Sequence, residues 1–214
     1  GAVSEGEPVD PNSEYAVAKA AATSYGRLLA RKHGMPVVTL RLYSVYGPYE
    51  DPRRLMPSLI THGLRNELPP LVDPRSAHDF VHVDDVVEAF VLAAGRQDGE
   101  PGAIYNVGTG QQTSLADLVD VARQVLHIDA EPRWGSARSR PWDTTSWVAD
   151  NRKIARELGW HPRVRLRDGF EQMVQWLLAT PEVWSSYGVE GRPPLARSAR
   201  AAPEGIPSSD KEGR

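Results

Sequence analysis

The sequence predicts an α/β fold built on a largely parallel sheet. Short apolar runs rich in β-branched residues, PVVTLRL (36–42), HDFVHV (78–83) and AIYNV (103–107), alternate with segments of helical periodicity. The helical segments open on capping residues and close on glycine or proline. Along the chain the order stays strand then helix, with no internal repeat.

Each element has its own signal. Asn12 or Ser13 caps a first helix that runs through Tyr15, Ala20 and Leu28 to about Lys32, where Gly34 and Pro36 stop it. PVVTLRL follows as a buried strand. SVYGPYEDPRR (44–54) is a loop by its glycine and proline content, LMPSLITHGLR (55–65) a short helix, and PPLV (69–72) a short extended piece. HDFVHV reads as a strand, and Asp84 begins a helix through Gly95. After the strand AIYNV, Ser114 and Asp117 have capping-box spacing ahead of LADLVDVARQVL (115–126). NRKIARELG (151–159) and LRDGFEQMVQWLLA (166–179) give two last helices, the first capped by Asp150 and ended by Gly159. Beyond about residue 190, Pro, Gly, Ser and charge dominate, so residues 191–214 are expected to form a disordered tail.

Composition excludes several function classes. The 214 residues, 40% hydrophobic and 25% charged, suffice for one sizeable core or two small ones. With no cysteine there are no disulfides, thiolate metal sites or cysteine nucleophiles, which suits a reducing cytoplasm. A net charge of −3 gives no reason to expect a nucleic-acid partner. No apolar run approaches the ~20 residues of a membrane span, and no leader pattern opens the sequence. The expectation is a soluble, cytoplasmic protein without a membrane or nucleic-acid partner.

In NSEYAVAKAAATSYGRLL (12–29), Tyr15 and Lys19 stand four apart and project from one helix face. A phenol with an ordinary pKa of about 10 needs help to act as a base near neutrality, and an adjacent ammonium favours the phenolate. The bland alternative is a tyrosine packed on a lysine stem, and uniform composition gives about 0.13 such pairs by chance. The surroundings favour chemistry. SEYAVAKAAATSYGRLLARKHGMPVVTLRLYSVYGP (13–48) resembles, in order and spacing, the stretch around the catalytic Tyr-x-x-x-Lys of extended short-chain dehydrogenases. RLMPSLI (54–60), HDFVHVDDVVEAF (78–90), YNVGTGQQTSLADLV (105–119) and RPWDTTSWVADNRKIARELGWHPRVRLRDGF (140–170) resemble successive segments of the nucleotide-sugar epimerase and dehydratase branch.

That resemblance implies a Rossmann-like parallel sheet with a small mixed α/β substrate-binding region, residues 1–190 forming the catalytic-helix and substrate-binding part. It implies NAD or NADP as cofactor, a nucleotide-diphosphate sugar as partner, and a homodimer through the helix bearing Tyr15. Tyr15 would exchange a proton with a sugar hydroxyl, and Lys19 would hold the nicotinamide ribose and favour the phenolate. Tyr43 would lie near the nicotinamide; Ser44, Arg54 and Leu55 would line the sugar-nucleotide cleft. Arg140 and Asp143 match contacts to the diphosphate and ribose, where a guanidinium fork suits phosphate oxygens.

Departures are equally informative. His78, Asp79 and Phe80 stand where relatives show Arg-Asp-Phe or Arg-Asp-Tyr, so His78 occupies a diphosphate-arginine position, with Arg75 three residues earlier as a substitute. Ser44 and Arg54 stand where relatives often carry asparagine, leaving the sugar open. The Gly-rich cofactor turn and the catalytic Ser or Thr of the family are not found upstream of Tyr15, and Ser4 is too close in sequence to replace the latter. Gly108-x-Gly110, followed by Asp129, imitates a dinucleotide fingerprint, but Thr113 replaces its third glycine.

Weaker features have plainer readings. His78 and His82 with Asp84 and Asp85 suggest a metal, yet Asp84 is better used as a helix cap and a third ligand is lacking. The tryptophans read as core or cleft walls, and no Gly-x-Ser-x-Gly elbow supports a hydrolase. The expected activity is an NAD(P)-dependent epimerase, then a 4-ketoreductase or 4,6-dehydratase. The alternative class is a non-catalytic nucleotide-sugar-binding or regulatory protein, or an inactive fragment.

Overall fold

The computed structural model describes residues 1–96, 98–138 and 147–190; Arg140, Asp143 and the expected tail lie outside these. In chain order the elements are α1 (Glu14–His33), β1 (Thr39–Leu42), β2 (Ser44–Tyr46), α2 (Leu55–Gly63), β3 (Ala77–His78), β4 (Phe80–His82), α3 (Val83–Ala94), β5 (Ile104–Val107), β6 (Thr113–Ser114), α4 (Leu115–Leu126), α5 (Arg152–Leu158) and α6 (Leu166–Ala179). A 3₁₀ turn at Pro181–Val183 follows.

Local chemistry sets the helix ends. Of the two caps open in the sequence, Ser13 is used, its hydroxyl accepting from the Ala16 N–H at 3.2 Å. Gly34, at φ 65°, closes α1 by donating to the Ala30 carbonyl. Ser114 and Asp117 form the expected capping box. Two starts differ from expectation. α3 begins at Val83 with His82 as its cap, and α5 is preceded by Asn151, while the Asp150 carboxylate accepts from the Arg152 N–H at 3.1 Å.

β1 pairs in parallel with β5, Thr39 opposite Ile104 and Leu42 opposite Val107, and β2 pairs in parallel with β4. The change of partner falls at one residue. Tyr43 still donates to Val107, whereas the next N–H, of Ser44, donates to Asp79. HDFVHV is therefore two strands, not one. Ala77–His78 pairs antiparallel with β6, Phe80–His82 pairs parallel with β2, and Asp79 sits at the break. PPLV forms no strand, the expected loop 44–54 opens with the strand β2, and PVVTLRL is a strand only over Thr39–Leu42, half-buried and with Leu42 exposed, because one of its faces is left uncovered. Gly47, at φ 148°, ends β2 where a Cβ would lie 2.5 Å from Val83 Cγ1, so only glycine fits this turn.

Two cores result. One joins the strands to α3 and α5 through Val81, Val86, Tyr105, Val107, Ile154 and Trp160. The other fills the space between α2, α4 and α6 with Leu59, Ile60, Leu118, Val119, Phe170 and Met173. α1 belongs to neither, burying only Ala30. Among the described residues no helix is long and apolar enough to cross a membrane.

Candidate functional site

The switch of strand partners opens a crevice after β1, the place where open α/β sheets hold their ligands. A cleft of about 680 Å³ lies there. Four residues singled out in the sequence, Ser44, Arg54, Leu55 and His78, line it together. Arg53 and Arg138 line it too, and among its described lining residues the only carboxylate is that of Glu50. The balance favours an anionic ligand.

Arg54 carries most of the detail. It precedes α2 directly, its Nε 2.9 Å from Oε1 of Glu50, and its side chain is 59% exposed. Glu50 is only 10% exposed, and burial pushes its carboxyl up to about 7 against the pull of Arg54. The Tyr187 hydroxyl donates to the Glu50 carbonyl at 2.6 Å, tying the turn after α6 to this loop. Its ring packs edge-on against Trp176, which does the same with Tyr49.

Tyr15 and Lys19 do sit side by side, on the open face of α1. The ammonium lies 5.4 Å from the Tyr15 ring centroid, and Tyr15 is 72% exposed. Neither residue lines the cleft, nor does Tyr43, which packs against Trp147 with centroids 5.5 Å apart. Burial, then the Asp79 and Glu5 carboxylates, push the Tyr43 phenol up to about 12. Tyr43 is thus held as a neutral phenol.

Asp79 settles the glycine decoy. Fully buried, its carboxylate accepts from Thr109 N–H (2.7 Å), Thr109 O–H (2.6 Å), Gly110 N–H (2.9 Å) and Ala149 N–H (3.0 Å). A Cβ at Gly108 would meet its Oδ2 at 2.7 Å. Backbone donors that a phosphate would need are already taken by this carboxylate. Arg75 is likewise committed, bidentate to Asp73 and off the cleft lining. His82 is buried as the α3 cap, its Nδ1 accepting from Asp84 N–H, and burial holds its imidazole below the ordinary range. Arg140 and Asp143 lie outside the described residues.

The profile of the NAD dependent epimerase/dehydratase family matches residues 2–108, half of the chain. The protein is a member of that family. This epimerase/dehydratase-family chain is 32% identical over 186 residues to a dTDP-glucose 4,6-dehydratase of an Actinoplanes species, covering 86% of this chain and 57% of that protein. Among solved structures it is similar to a UDP-glucose 4-epimerase of Thermotoga maritima with UDP-glucose, at TM-score 0.76 and 30% identity over 84% of this chain and 58% of that one. A dTDP-glucose 4,6-dehydratase of Streptomyces venezuelae with NAD bound also matches at 0.76 and 30% identity, over 89% and 58%. The fold is accordingly the Rossmann-like one expected. The chain spans a little over half the length of these three relatives.

The residues present fit one end of a nicotinamide cofactor. Lys19 and Tyr15 offer an open ammonium and phenol for a nicotinamide ribose, while the Gly108–Gly110 turn, filled by Asp79, does not fit its phosphates. Sequence reasoning missed Glu50, Tyr187 and Arg138. Glu50 and Arg54 have the i, i+4 spacing of an ion pair, a visible signal, whereas the Tyr187 contact spans 137 residues and leaves none.

Proposed function

We propose that this chain is the substrate-side and proton-transfer part of an NAD-dependent nucleotide-sugar epimerase. The observation that carries the reading is the arginine-lined cleft holding Ser44, Arg54, Leu55 and His78 in a chain whose α1 presents an open Tyr-x-x-x-Lys pair. Arg54, with Arg138, binds the diphosphate, while Arg53 is held by Asp51; Ser44 and His78 supply hydrogen bonds to the ligand. Tyr15 takes the proton of a sugar hydroxyl as its carbon is oxidised and returns it on reduction, and the Lys19 ammonium favours the phenolate in between. NAD, held at its ribose by Lys19, supplies the hydride acceptor and donor. Tyr43 remains a phenol and donates a hydrogen bond. A cytoplasmic homodimer through α1, which exposes Val17, Tyr25 and Leu28, belongs to the same reading.

The test is incubation of the chain with NAD and UDP-glucose or dTDP-glucose, followed by proton NMR of the sugar. Inversion of one hydroxyl-bearing centre is the expected result. Loss of the primary hydroxyl would move the assignment to a 4,6-dehydratase. Saturable sugar-nucleotide binding without conversion would favour the second reading, a non-catalytic nucleotide-sugar-binding protein.

A further inference from the structure

The pair at the edge of the cleft is asymmetric. Arg54 is 59% exposed, with room to turn towards a ligand, whereas Glu50 is 10% exposed. The Tyr187 hydroxyl donates to the Glu50 main-chain carbonyl at 2.6 Å and so anchors the backbone at this residue. Arg54 Nε holds Oε1, and Oε2 is buried without a hydrogen-bond partner. Among the described residues Arg54 is the one cation recorded in an ion pair with Glu50. Arg53 is bidentate to Asp51, whose charge also acts on Glu50, and the Tyr187 phenol, itself raised by burial and by Glu50, is spent on the backbone. Arg138 and His78 face the cleft from other walls.

A ligand diphosphate that draws the Arg54 guanidinium off Glu50 would leave a largely buried carboxylate without its recorded cation, a state costlier than its protonated form. We propose that Glu50 is a positioning residue that takes up one proton from solvent when a bound anion draws Arg54 away, making ligand binding proton-coupled. This rests on the cleft being a nucleotide-sugar site, and it deepens that reading by giving the site a pH response. Burial already brings the Glu50 carboxyl up to about 7 with Arg54 in place, so losing Arg54 moves it higher and the uptake falls in the physiological range. Proton uptake makes affinity fall by up to about tenfold per pH unit above about pH 7.

The experiment is calorimetric titration of the chain with UDP-glucose and dTDP-glucose, whose diphosphate diesters do not titrate near neutrality, at about pH 7.5 in buffers of different ionisation enthalpy. The expected result is a binding heat that varies with the buffer in proportion to a net uptake of up to about three quarters of a proton, lost in Glu50→Gln while binding persists. Wild-type heats identical in every buffer would overturn the proposal without any variant, as would full uptake in Glu50→Gln. Failure of both ligands to bind would instead overturn the nucleotide-sugar reading on which it rests.

Discussion

α1 and α4 are both regular, well-capped helices, but they are held in different ways. α4 buries Leu115, Leu118, Val119, Ala122 and Leu126 in the core it shares with α2 and α6. α1 is eight residues longer yet buries only Ala30, leaving Tyr15, Val17, Tyr25 and Leu28 more than half exposed. It relies on alanine-rich propensity, its caps, and ion pairs from Arg27 and Arg31 to Glu100, which Lys153 also approaches. Gly102, at φ 72°, lets the loop after Glu100 come within 2.8 Å, at its would-be Cβ, of the Arg27 Cα. The difference separates two duties. Burial fixes the walls of the cleft, while the helix carrying the proposed proton-transfer pair keeps its reactive face open.

Substitutions that strike one duty and spare the other sharpen that contrast. Tyr15→Phe has the largest expected effect: turnover of a nucleotide sugar falls ~10²–10⁴-fold. Its unfolding midpoint in urea shifts little, by less than about 0.5 kcal/mol, because the side chain is exposed. Leu118→Ala does the reverse, lowering stability by about 2–5 kcal/mol through lost burial and a cavity, measured by the same unfolding curves. Asp79→Asn replaces one acceptor oxygen by a donor facing buried N–H groups, and is expected to cost about 3 kcal/mol.

Glu50 sharpens the contrast through pH. Its folded carboxyl is raised from 4.5 to about 7, so its contribution is complete below about pH 4.5 and is lost as pH rises through about 7. Between about pH 5 and pH 8 the chain should lose up to about 3 kcal/mol from this group, a slope that Glu50→Gln removes. Leu28→Ala on α1 gives the smallest effect, under about 0.5 kcal/mol; a loss as large as that of Leu118→Ala would break the contrast.

Much of the fold was legible because local rules and tertiary packing agree here. The Ser13 cap, Gly34 stop, Ser114–Asp117 box and the buried strand Ile104–Val107 stand where chain chemistry puts them. Failures came where distant groups decide. HDFVHV looks like one strand, but the Asp79 carboxylate is claimed by N–H groups 30 to 70 residues away, and the run breaks there. In the site, Ser44, Arg54, Leu55 and His78 were nameable from motif positions. The burial of Glu50 was not, since it depends on Tyr187, 137 residues on. Nor did the sequence distinguish Tyr43 as a retained phenol, because its neighbours Asp79 and Glu5 come from separate segments.

The division of labour between cleft and helix is tested most directly by calorimetric affinity for UDP-glucose and dTDP-glucose in two variants of the chain. Arg54→Gln removes a charged hydrogen-bond donor from the cleft and should weaken binding by about tenfold or more, whereas Tyr15→Phe should bind within about twofold of the unaltered chain. Undiminished binding by Arg54→Gln, or an equal loss in Tyr15→Phe, would contradict the account.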